Sequence, residues 1–177
     1  MKSDFLLIRE MKQGNEQSFD LFVRKYYQEI LNYCRHHCYD QKYAEDLTQE
    51  TFVRFFSKLS SYRYTGKTKN YLYKVAGNLC KDYYKQMKET PVDDTELGGG
   101  SDESENVIDS IINKFVLEKA LRQLPSELYE VIVLYYFQEF KQTEIADTLQ
   151  IGLPLVKYRL REAKKQLEMI LQKEEAK

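Results

Sequence analysis

"TEIADTLQIGLPLVKYRLREAKKQL", residues 143–167, holds two short helical patterns on either side of a break at "QIG". Apolar residues recur at three and four on both sides, the period of helices that bury one face. Ile145, Leu149, Ile151 and Val156 are expected to form a small shared core, with Ala146 letting the helices approach and Gly152 serving the turn, which makes a helix-turn-helix. On the second helix Val156, Leu160, Ala163, Leu167 and Ile170 make the buried stripe. Opposite them lie Tyr158, Arg161, Glu162 and Lys165, flanked by Lys157, Arg159 and Lys164, and residues 154–166 carry a net charge of +4. A helix that enters the major groove of DNA needs such a face. The alternative is a plain three-helix packing unit with a charged outer surface.

Upstream the chain stays helical in pattern. "FDLFVRKYYQEILNYCRHHC" and "YAEDLTQETFVRFFSKLSSY" repeat apolar residues at three and four, and no Asn-Gly or Asp-Gly hairpin signal occurs. Asp40 is placed to cap the second of these helices and Ser126 to cap "ELYEVIVLYYFQEF". Between the two helical regions runs "ETPVDDTELGGGSDESEN", residues 89–106, with a proline, three successive glycines and few apolar residues, a linker composition. The expected architecture is therefore all-α: two small helical domains, 1–88 and 107–177, joined by a flexible acidic linker at 89–106. A further helix, "VIDSIINKFVLEKALRQL", is expected at 107–124.

The net charge of −1 conceals a division. Residues 1–88 carry +6, residues 89–110 carry −8 and residues 111–177 carry +1. Within the basic part, residues 58–88 combine 8 Lys/Arg and 6 tyrosines with a single acid. Lysines neutralise phosphates while aromatic rings stack on unpaired bases, so this mixture suits a single strand. Wound as a helix, residues 68–88 put Leu72, Val75, Ala76, Leu79, Tyr83 and Met87 on one side. Asn70, Tyr73, Lys74, Gly77, Lys81, Tyr84, Lys85 and Lys88 fall on the other, with Asn78 at the border. The bland reading is a solvated lysine face in a Tyr-rich protein.

Other chemistries find little support. The N-terminal apolar run is four residues long, too short for a signal peptide, and no segment suits a membrane span, so a cytoplasmic protein is expected. Three cysteines without framework spacing agree with a reducing compartment. "CRHHC", residues 34–38, offers soft ligands for zinc in Cys34, His37 and Cys38, but a fourth ligand is not evident and Cys34 lies on an apolar stripe. No phosphate loop or nucleophile motif is present, so neither enzymatic activity nor a cofactor or metal is expected.

"AEDLTQETFVRFF", "NYLYKVAGNLCKDYYK", "LPSELYEVIVLYYFQEFKQTEIADTL" and "VKYRLREAKKQL" together resemble bacterial RNA polymerase sigma factors of the extracytoplasmic-function type, over nearly the whole chain and in order. The resemblance implies a region-two domain, a region-four domain and no catalytic site. By it, Asp46, Gln49, Glu50, Val53 and Arg54, which project away from the Phe52, Phe55 and Leu59 stripe, would dock on core RNA polymerase. Tyr62, Arg63, Tyr64, Tyr71, Tyr73, Lys74, Asn78, Lys81 and Asp82 would hold the melted non-template strand of the minus-ten element, Tyr71 standing where the family usually has tryptophan. Lys157, Tyr158, Arg161 and Glu162 would face base edges of the minus-thirty-five element, and Arg159, Lys164 and Lys165 its phosphates. Leu155 and Tyr158 replace the family's hydroxyl residues, and Glu162 stands where Arg is common. The implied partners are core polymerase, promoter DNA and an anti-sigma protein, often membrane-bound. A polymerase-independent helix-turn-helix regulator, or a sigma-like module that no longer reads promoters, remains as an alternative.

Overall fold

The computed structural model describes residues 2–38, 40–89 and 116–175. Among them every regular element is helical, and the chain divides into two compact units, Met1–Thr95 and Glu96–Lys177. Apart from Glu89, the expected linker lies outside the described residues, as does the first part of the helix expected at 107–124.

The first unit holds α1 (Asp4–Lys12), α2 (Glu16–His37), α3 (Gln41–Ser57) and α4 (Thr68–Glu89). The starts of α1, α2 and α3 are each marked by a short polar side chain: Ser3 Oγ accepts from Leu6 N, Asn15 Oδ1 from Ser18 N, and Asp40 Oδ1 from Lys42 N at 2.7 Å. These bonds satisfy donors that the first helical turn leaves without partners. Gly14, at φ +82°, makes the reversal between α1 and α2, a conformation that costs residues with a Cβ.

Helices α2, α3 and α4 pack on one another around an aromatic core. Phe22 is fully buried and lies flat against Phe55, centroids 4.8 Å apart and planes 5° from parallel. Phe52 and Phe56 add edge contacts to Phe22, and Tyr62 and Tyr71 close over Phe55 at 5.2 and 6.0 Å. On α3 the two buried threonines remain satisfied, Thr48 Oγ1 donating to Ala44 O and Thr51 Oγ1 to Leu47 O, each at 2.7 Å. Helix α1 is tied to α2 at both ends: Asp4 accepts from Lys25 Nζ and Tyr26 Oη, and Glu10 from Ser18 Oγ.

The rotation of α4 differs from the simple wheel. Tyr73, expected on the lysine face, is only 1% exposed and packs edge-on against Tyr33 of α2 at 5.1 Å. Gly77, also expected there, is buried. The inward side runs through Leu72, Tyr73, Ala76, Leu79 and Cys80, while Val75 is only half-buried. A tyrosine beside lysines looks polar in sequence, but its ring supplies a large apolar surface that α2 covers. The side chains of Tyr84, Met87 and Lys88 lie outside the described residues.

In the second unit, residues 116–122 belong to α5, followed by α6 (Ser126–Ile132), α7 (Gln142–Leu149) and α8 (Leu153–Glu175). Ser126 is the first residue of α6 rather than its cap. Pro125 holds the cap position at φ −52° and ψ 144°, and its carbonyl accepts from Leu128 N and Tyr129 N at 2.9 Å. The helix does not run regularly to Phe140. It widens into a π-helical turn over Val133–Phe137, with Gln138 N donating to Val133 O at 3.1 Å. Val133 and Leu134 stay buried while Tyr136 and Phe137 are turned outward.

Phe22→Ala should lower the stability of the first unit by about 3–5 kcal/mol, because a ring-sized cavity would open beside Phe55. Phe22→Leu should cost clearly less; guanidinium unfolding of both variants measures the difference.

Candidate nucleic-acid interface

The outward face of α4 is the complement of its core side. Asn78, Lys81, Asp82 and Lys85 are exposed, and Lys74 and Tyr71 are half-buried at its edge. Tyr73 is therefore withdrawn from strand contact: it has no free ring face to offer a base. Burial also pushes its phenol pKa well above the usual value, so it stays a neutral packing group. Tyr71 has a double character, since its ring meets Tyr62 at 5.2 Å and Phe55 at 6.0 Å yet keeps an outer edge.

Residues 58–67 leave α3 and lead into α4, with Arg63 exposed and Tyr64 40% exposed. Gly66, at φ +79°, allows the bend before Thr68. Burial raises the phenol pKa of Tyr62, which anchors the loop on the core rather than facing outward. Two contacts absent from the sequence reading hold this loop from the side. Lys12 Nζ at the end of α1 donates to Tyr62 O at 2.6 Å and to Ser60 O at 3.3 Å. Phe5 packs on Tyr64 with centroids 5.7 Å apart. Neither was legible, because Lys12 lies 50 residues upstream of Tyr62 and Phe5 still further upstream of Tyr64, and no local pattern pairs them. Arg63, Tyr64, Lys74, Asn78, Lys81 and Asp82 are thus left on the loop and the outer side of α4.

On α3 the expected separation of faces holds. Asp46, Gln49, Val53 and Arg54 are exposed and Glu50 is half-buried, while Phe52, Phe55 and Leu59 point inward. Arg54 Nε bonds Glu50 Oε1 at 2.8 Å, one turn apart, flanking Val53, which is 58% exposed. An exposed aliphatic group among fixed, oppositely charged neighbours suits a protein contact.

The second unit forms a helix-turn-helix from α7 and α8. Glu144 Oε2 accepts from Lys141 N at 2.7 Å and fixes the start of α7. The turn differs from expectation in its pivot: Gln150, at φ 56° and ψ 44°, takes the left-handed conformation, and Ile151 N donates to Ala146 O at 3.1 Å. Gly152 lies outside that conformation and instead supplies the carbonyl that accepts from Leu155 N and Val156 N. Ile145 and Val156 are fully buried, whereas Leu149 and Ile151 are half-buried.

Val156, Leu160 and Ala163 turn inward on α8 and leave Lys157, Tyr158, Arg161, Lys164 and Lys165 exposed. Arg159 is half-buried, and so is Glu162, whose carboxylate accepts from Gln166 Nε2 at 3.0 Å. Arg161 lies 5.9 Å from the Tyr158 ring centroid. Lys164 sits 5.5 Å from the Tyr136 centroid, and its hydrogen bond with Tyr136 raises its pKa, so it is charged throughout the neutral range. The π-helical turn that presents Tyr136 had no signal in the apolar spacing.

The "CRHHC" segment is internal. Cys34, His37 and Cys38 are buried, and thiol hydrogen bonds join Cys80 of α4 to Cys34 and Cys38. Those bonds and burial push the Cys80 thiol pKa up, so it stays protonated. Among the described residues no group of three or more His, Cys, Asp or Glu is arranged to hold a metal ion, and no helix is long and apolar enough to cross a membrane.

An all-helical chain with a helix-turn-helix and a separate basic helical face has the form of a DNA-binding protein. Its sequence matches two family models, sigma-70 region 2 over residues 22–90 and sigma-70 region 4 over residues 114–167. The chain belongs to the sigma-70 family of RNA polymerase sigma factors and is of the extracytoplasmic-function type. It is 25% identical to the RNA polymerase sigma-H factor of Pseudomonas aeruginosa, an alignment covering 97% of this chain and 95% of the relative. It is 26% identical to SigW of Bacillus subtilis, covering 90% and 92%. The fold is similar to that of CnrH, solved in complex with the cytosolic domain of CnrY, with a TM-score of 0.72, 20% identity and coverage of 97% and 98%. It is also similar to RpoE of Bartonella quintana, solved with the anti-sigma factor NepR, with a TM-score of 0.66, 19% identity and coverage of 88% and 98%.

Lys12→Met should release the carbonyls of Ser60 and Tyr62 and speed tryptic cleavage after Arg63 severalfold, while the midpoint of thermal unfolding changes little. Unchanged cleavage would mean that the core alone holds the loop.

Proposed function

We propose that this sigma factor binds core RNA polymerase through α3, holds the melted minus-ten strand on α4 and the loop before it, and reads the minus-thirty-five element with α8. Its function as a transcription initiation factor follows from its family. The observation that carries the assignment of faces is the outward side of α4, where Lys74, Asn78, Lys81 and Lys85 continue into the exposed Arg63 and Tyr64 of the loop. Cations along one face with a ring at its end suit an unpaired strand better than a duplex, because phosphate and base are met together. Asn78 carries a donor and an acceptor at the centre of that face, as base-edge recognition requires.

The roles then divide by chemistry. Val53 with the Glu50–Arg54 pair would be the polymerase contact, supported by Asp46 and Gln49. Lys157 would face base edges with Tyr158, Arg161 and Glu162, and Arg159 and Lys165 would neutralise phosphates, with Lys164 held toward one by Tyr136. Phosphodiester bond formation belongs to the polymerase, so no catalytic residue is assigned to this chain. The solved relatives CnrH and RpoE were each captured with a protein partner, and an anti-sigma protein is proposed for this chain as well. A cytoplasmic location accords with these partners.

Two variants separate the faces. Val53→Glu should weaken binding to core polymerase by about tenfold or more, as loss of an apolar anchor does. Asn78→Ala should leave that binding intact and reduce open-complex formation by about tenfold, the effect of losing one base contact. Permanganate reactivity of promoter thymines reads the second. Loss of core binding in Asn78→Ala, or full strand opening by it, would overturn the assignment. Tight duplex binding without polymerase would instead indicate an independent regulator.

A further inference from the structure

We propose that Leu155 and Tyr158, on the leading turns of α8, recognise thymine in the minus-thirty-five element through its C5-methyl group. The inference rests on the DNA-reading role proposed for α8 and specifies what that helix reads.

The rotation of α8 is set by Val156, Leu160 and Ala163, which are buried against the rest of the second unit. Leu155, Tyr158 and Glu162 follow one another at three and four residues, so they form a single row on the far side. Helix α8 begins at Leu153, which places Leu155 in its first turn and Tyr158 in its second. In a helix-turn-helix these leading residues of the second helix approach the base edges. Leu155 is 40% exposed and Tyr158 51%, so the aliphatic side chain of the one and the ring of the other leave apolar surface uncovered within the unit.

Leucine has neither donor nor acceptor. On the major-groove edge it can select only by apolar contact, and the single apolar group displayed there is the thymine methyl. Arg161 lies 5.9 Å from the Tyr158 ring centroid, which sets a guanidinium next along the helix, where it can reach a phosphate or guanine. Glu162 ends the row with a carboxylate steadied by Gln166 Nε2 at 3.0 Å. A carboxylate repels the acceptor edges of guanine and accepts from an exocyclic amine, so the row passes from methyl recognition to amine recognition along the groove. At the Leu155 position, where the family commonly carries a hydroxyl residue, this chain offers no hydrogen-bonding group, and at Tyr158 the hydroxyl lies at the far end of an apolar ring. Methyl reading is therefore a property of this chain's own residues.

The test uses the complex of this chain with core polymerase. Promoters are first selected from a duplex library randomised across the minus-thirty-five element, and each thymine of the selected element is then replaced singly by deoxyuridine, which removes the methyl and keeps the base pair. Binding should fall about fourfold per methyl at one or two positions, the factor expected for one buried carbon. Leu155→Ser and Tyr158→Ser should each abolish the response to uracil at one position and relax the selection for thymine there. Thermal unfolding checks that both exposed substitutions leave the unit folded, and the uracil series on the unaltered protein stands without them. Initiation that is insensitive to uracil at every thymine, or a selected element without thymine, overturns methyl recognition while leaving the initiation reading intact. Failure to initiate from any selected promoter overturns both.

Discussion

The edge-to-face contact of Tyr73 with Tyr33, at 5.1 Å, decides which side of α4 the first unit can offer a partner. Tyr73 could pair with the lysines beside it or sink against α2, and sinking removes a large ring from water, a gain of about 1.5–3 kcal/mol. With Tyr73 inside, Gly77 and Cys80 turn inward and Asn78 moves from the border to the middle of the exposed side. Lys69 accommodates the same rotation, its Nζ bonding Glu29 of α2 at 2.9 Å while lying 5.7 Å from the Tyr73 ring centroid. One buried ring thus changes an even scatter of lysines and tyrosines into a face of lysines around an asparagine.

The second unit obeys the same kind of constraint with different parts. Val156 and Ala163, both fully buried, set the rotation of α8, and Gln150 in the left-handed conformation sets its departure from α7. A residue other than glycine in that conformation is strained by roughly 1–3 kcal/mol, a cost that the surrounding structure must overcome. The bond from Ile151 N to Ala146 O and the burial of Ile145 do so here. Because α8 extends to Glu175, a small error at the turn would displace its far end by many ångströms. The precision that the proposed base reading would need is therefore built at the turn, and the helix transmits it.

The parts visible in the sequence were those carried by local periodicity. Helices α2, α3, α4, α7 and α8, the Asp40 cap and the inward set of α3 follow from spacing that each segment contains by itself. The same holds for the separation of Asp46, Gln49 and Val53 from Phe52 and Phe55, since the ring stack on Phe22 agrees with the local pattern. What stayed hidden depended on residues distant in sequence or on backbone geometry. Tyr73 and Gly77 were misassigned because α2 covers a wider arc of α4 than the aliphatic residues alone indicate. Lys12 and Phe5 act on a loop encoded 50 or more positions later. Gly152 resembled the turn residue because glycine tolerates positive φ, yet the hydrogen bonds of the turn place Gln150 there. The bulge at Val133–Phe137 left no trace in the apolar spacing, since the residues around it are apolar almost without interruption.

Charge explains why so many separate contacts are needed. With a net charge of −1 the chain has little long-range attraction to DNA, so on the proposed assignment affinity would rest on local faces of a few lysines and arginines each. Either face alone neutralises few phosphates and would be weak at physiological salt. Covalent connection makes the second contact intramolecular once the first has formed, and the gain depends on the reach of the intervening chain rather than on any added contact. Residues 89–110, at −8 and without one Lys or Arg, add repulsion from DNA phosphates. If both faces bind DNA as proposed, their division by an acidic segment would disfavour wandering along arbitrary duplex and favour binding where both promoter elements are available and the polymerase supplies the remaining contacts. Selectivity of this kind comes from making the solitary, non-specific state poor as much as from making the specific one good.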